Sequence, residues 1–109
     1  MKLTLVHQAT QEAAIKIIDD KLNELLEQQH EGIEVSDSVK EWDDNIMRFS
    51  FSVQKLLFTL EFSGNLIVTD EEAILEGDLP GLLLTFVSED KVKEILTEEF
   101  NKLFNIESK

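Results

Sequence analysis

The sequence predicts an α+β fold: a curved antiparallel sheet of four to six strands, with two amphipathic helices on one of its faces. Three observations predict it. Residues 46–62 carry a two-residue hydrophobic period. Apolar stripes at helical spacing lie on either side of the strand-rich middle, over 11–29 and after Ser88. Turn-forming residues recur at short spacing between them, so hairpins should join consecutive strands. The expected order is β-α-(β)-β-β-β-β-α, in a single domain spanning residues 1–109.

Each element has its own signal. Leu3 and Leu5 alternate with Lys2, Thr4 and Val6, as in a short strand. Thr10 is placed to cap a helix, and Ala14, Ile17, Ile18, Leu22, Leu25 and Leu26 then share one side of it. Gly32 is the expected stop. Ile33 to Val39 is either a strand or an extended connection. Asp37 to Asp44 reads as an acidic loop or turn holding Trp42, with Asp43-Asp44-Asn45 as turn-forming residues. Met47, Phe49, Phe51 and Val53 form one strand face, and Leu56, Phe58, Leu60 and Phe62 another, with Gln54-Lys55 as the tight connection.

Ser63-Gly64-Asn65 reads as a turn, Leu66 to Val68 as a strand, and Thr69 to Glu72 as a second turn. Ala73 to Leu79 is a further strand, ended by Pro80, which lacks a backbone donor and holds Leu79 extended. Leu82 to Phe86 is either an extended segment or an apolar helical turn. Ser88 then caps the final helix, whose stripe is Val92, Ile95, Leu96, Phe100, Leu103 and Phe104.

Composition limits the function. With 10 Lys and Arg against 23 Asp and Glu, the net charge is -13, which disfavours nucleic acid and anionic bilayers. It is compatible with a basic partner. The chain has no cysteine, so disulfides, thiolate metal sites and cysteine nucleophiles are excluded. The first residues do not read as a signal peptide, and no apolar segment approaches a membrane span. The expectation is a cytoplasmic protein.

No catalytic set can be assembled. His7 and His30 are the only histidines, and no nucleophile elbow accompanies them. Asp19-Asp20, Asp43-Asp44 and Glu71-Glu72 are acidic pairs without calcium-loop order, which solvated turns and helix faces explain. No metal or cofactor is expected. The candidate contact surface is Trp42 with Leu82, Leu83, Leu84 and Phe86. Trp42 either closes one end of the core or anchors a partner. The leucine cluster either packs inward or forms an exposed rim.

Several features follow one another in an order that resembles the small polyhydroxyalkanoic acid system proteins of bacteria. They are Leu3-x-Leu5-x-His7 before an Ala-rich helix, Trp42-Asp43-x-Asn45 before a Phe-bearing strand, Gly64-x-x-x-Val68-x-Asp70, and Leu79-Pro80-x-Leu82-Leu83 before a closing helix. The resemblance covers nearly the whole chain. One departure is the Phe49 to Phe62 region, longer than the family's, as an extended hairpin would be. The family brings no catalytic residues. The resemblance implies a non-enzymatic accessory or regulatory role, exerted through a protein partner or a storage-granule surface. Two other classes share features with the chain. A curved sheet gripping a C-terminal helix resembles a small helix-grip domain for an apolar or acyl ligand. Small size, acidity and α+β order look like a secretion-chaperone dimer, from which the leading strand departs. A homodimer is compatible with each.

Overall fold

In the computed structural model, the described residues are 1–27, 34–55 and 57–104, apart from the side chains of Leu25 and Lys55. Gly32, Ile33, His30 and Leu56 lie outside them. The elements are β1 (Lys2–Val6), α1 (Gln11–Glu27), β2 (Glu34–Asp43), β3 (Ile46–Lys55), β4 (Phe58–Val68), β5 (Glu72–Asp78), α2 (Gly81–Leu84) and α3 (Glu89–Leu103). The five strands form one open antiparallel sheet in the order β1-β5-β4-β3-β2.

Register decides which side chains face the helices. Met47 lies across from Leu66, Leu66 from Leu75, and Leu75 from Leu3. The adjacent row holds Val68, Ala73 and Leu5. These rows join Ala14 and Ile18 of α1 and Phe100 of α3 in one core. Both longer helices therefore cover the same face. The opposite face carries Lys2, Thr4, Asn65, Glu76, Arg48 and Glu41, all exposed. Such a half-solvated sheet is what the two-residue period encodes.

The predicted caps form. The Thr10 hydroxyl accepts from the Ala13 N–H at 3.2 Å, and the Ser88 hydroxyl accepts from the Lys91 N–H at 3.2 Å. β5 ends at Asp78, two residues before Pro80.

Three expectations need correction. Ser63-Gly64-Asn65 is not a turn, because β4 runs through it without a break. Gly64 faces Gly77 across the ladder, and a Cβ added there would lie 2.3 Å from the Glu76 carbonyl oxygen and 2.7 Å from the Gly77 Cα. The glycine serves close backbone approach within the sheet, not chain reversal. On its other side Gly64 is paired with Phe49 of β3.

Asp37 to Asp43 is strand rather than loop, whereas the expected turn does form at Asp44-Asn45. β2 continues to Asp43, and Asp37, at φ 52°, takes up a bulge between Ser36 and Val39. Chain reversal is left to Asp44-Asn45, with Asp44 at φ 57°. Finally, Gln54-Lys55 stays in β3, whose ladder runs on to Lys55 opposite Phe58.

Placing a side chain at Gly64 should be costly. Gly64→Val is expected to lower stability by about 2 kcal/mol or more, since overpacking typically costs ~1–3 kcal/mol and here the obstruction is backbone. Thermal unfolding followed by circular dichroism measures it, with Asn65→Val on the solvent face as the control.

Candidate functional site

The candidate surface residues separate into two places. Trp42 sits on β2 opposite Met47, half-buried against the core. Its indole N–H donates to Asp19 Oδ1 of α1 at 2.9 Å. Lys40, two residues earlier and on the same face, donates to Asp19 Oδ1 and to Asn23 Oδ1. Together these groups fasten α1 to the outermost strand. Burial acts to raise the Asp19 pKa, but hydrogen bonds from Lys40 and Trp42, with the Lys40 charge, outweigh it. The carboxyl is held below its usual 3.8.

The second place lies at the far end of the sheet. Phe86 follows α2 and is 71% exposed. Its ring meets Phe58 edge-on, with centroids 6.2 Å apart. Phe58, Leu82 and Leu84 are exposed as well, whereas Leu83 is half-buried. Leu57 at the hairpin tip is 96% exposed. Trp42 is not part of this group: Met47, its partner, lies eight positions along β3 from Lys55, roughly 26 Å of strand. Leu57 and Phe58 were not singled out from sequence as contact residues. An apolar Leu57 where a hairpin tip would ordinarily be polar was the available signal.

Behind this rim, the helix-side face of the hairpin is aromatic. Phe51 stacks on Phe62 at 5.1 Å, and Phe49 on Phe51 at 6.3 Å. All three rings are half-buried.

His7 is occupied structurally. It is 3% exposed, and its Nδ1 accepts from the Ala9 N–H at 3.2 Å. The proton is therefore on Nε2, which donates to the Thr69 carbonyl at 2.8 Å. The ring also stacks on Phe104. Neither nitrogen is open to a substrate. Asp19 and Asp20 do not act as a pair: Asp19 turns to Lys40, while Asp20 binds Lys16 at 3.1 Å on the solvent side. Among the described residues, no group of three or more His, Cys, Asp or Glu is arranged to hold a metal ion. No helix among them is long and apolar enough to cross a membrane. A surface depression of about 440 Å³ is lined by Met1, Lys2, Gly64, Asn65, Glu76, Gly77 and Asp78, and is mainly polar. Comparison with models of known protein families, with curated proteins and with solved structures finds no match.

The Asp19 cluster makes a pH-dependent contribution. A folded-state pKa below the unfolded one stabilises above the unfolded value and loses that effect as pH falls through the folded value. Stability should therefore decline below about pH 4, and Asp19→Asn should flatten that acid limb. At neutral pH the same substitution is expected to cost about 1–2 kcal/mol, because Lys40 loses its charged partner. Melting temperatures of both proteins across the acid range check the two expectations together.

Proposed function

We propose that this chain is a non-enzymatic, cytoplasmic accessory protein of the polyhydroxyalkanoic acid system type, acting through contact with a protein or a storage-granule surface. One observation carries the contact mode. Exposed apolar side chains from the hairpin tip (Leu57, Phe58) and from the α2 region (Leu82, Leu84, Phe86) share one end of the molecule. Isolated exposed leucines are ordinary, but a group of this kind commonly marks an interaction surface. The family-like order of residues named above adds the storage granule as the surface in question. The acidic remainder of the chain keeps such a rim from driving indiscriminate association.

Co-sedimentation with isolated polyhydroxyalkanoate granules tests the reading. The wild-type chain is expected in the granule fraction. The double variant Leu84→Ser/Phe86→Ser should bind about tenfold less, since burying such side chains is worth ~1.5–3 kcal/mol each when complete. Its melting temperature should be essentially unchanged. A wild-type chain that remains in the supernatant, or a double variant that still pellets fully, would overturn the proposal.

A further inference from the structure

The ladder between β4 and β5 is shorter than β4. It runs from Ser63 opposite Asp78 to Val68 opposite Ala73. β4 itself begins at Phe58, and β3 pairs with it from Phe58 to Ile67. Residues Phe58 to Phe62 are therefore bonded to a neighbour strand on one side only. Beyond Asp78 the chain leaves the line of β5 through Leu79-Pro80 into α2. On that side no strand among the described residues pairs with Phe58–Phe62. Edges of this kind pair readily with another extended segment.

We propose that the Phe58–Phe62 edge of β4 accepts an extended peptide as an added strand, and that this peptide alternates apolar with basic residues. Two features define that chemistry. On the helix side, the added strand would lie beside Phe58, Leu60 and Phe62, with the Phe86 ring edge-on to Phe58. Its inward residues must therefore be apolar. On the solvent side, the position opposite Glu61 has a carboxylate at its flank and a second, Asp78, two residues along the vacated line. Both are exposed, and neither forms an ion pair among the described residues. A Lys or Arg at that position meets both charges.

A second copy of this chain fits the edge less well. Its own Phe-Thr-Leu-Glu-Phe segment would bring another carboxylate and no cation, and each chain carries a net charge of -13. The proposal does not depend on the granule reading, because it concerns a backbone edge and a charge preference rather than the apolar rim alone.

The test uses the full chain and two peptides of about seven residues, one alternating Val and Lys, the other Val and Glu. Affinity is read by fluorescence anisotropy, and backbone amide exchange by NMR. The Val-Lys peptide is expected to bind, to slow exchange within Phe58–Phe62 by at least about tenfold, and to weaken with added salt. Glu61→Lys, at an exposed site, should lower Val-Lys affinity by about fivefold and raise that of Val-Glu. Absence of Val-Lys binding overturns the proposal. So does protection confined to other strands, or a Val-Lys affinity that Glu61→Lys leaves unchanged. Concentration-dependent protection of the same amides without peptide, together with a doubled mass in sedimentation, would assign the edge to a second copy and overturn it equally.

Discussion

The close approach of β4 and β5 at Gly64 and Gly77 is the constraint on which the rest of the sheet depends. With no Cβ tolerated at Gly64, the two backbones can come together where side chains would otherwise hold them apart. That row divides the molecule. On one side lie Leu66, Val68, Ala73 and Leu5, all buried under the helices. On the other, β5 runs for only one more residue, and the β3–β4 hairpin continues with its aromatic face half-covered. The buried half and the more exposed half are thus two ends of the same pair of strands.

Polar chemistry secures the opposite margin. β2 is an edge strand and carries two features that discourage sheet-to-sheet pairing: the bulge at Asp37 and an inward-pointing lysine, Lys40. The lysine is tolerated beneath α1 because Asp19 and Asn23 receive it, and Trp42 completes the carboxylate's coordination by donors. The Phe58–Phe62 edge has no comparable inward charge. Of these two stretches without a second strand partner, β2 is guarded and Phe58–Phe62 is apolar on its inner side.

Much of the fold was legible because its signals are local. Alternation in Met47 to Val53, the hydroxyl caps at Thr10 and Ser88, and the stop at Pro80 each depend on a few neighbouring residues. The errors share a cause. Glycine and aspartate favour turns, yet here Gly64 and Asp37 meet demands set by strands distant in sequence: a glycine across the ladder, and a bulge in register. The exposed apolar rim was legible in part. Leu82 to Phe86 stood out as an apolar run, but its meeting with Phe58 depends on how far the hairpin extends. Trp42 could be read either way until Asp19 was seen to face it, because no local pattern announces a helix-to-strand hydrogen bond.

The strand order also bears on how the chain assembles as it is made. β2 to β5 form a meander, each strand pairing with the next in sequence. β1 is different: it pairs only with β5, and Met1 and Gly77, hydrogen-bonded to each other, are 76 residues apart. During synthesis β1 leaves the ribosome well before its partner exists. Leu3 and Leu5 therefore stay without their cross-strand neighbours until translation has passed Asp78. The first of the five strands to be made can be paired no sooner than the last of them.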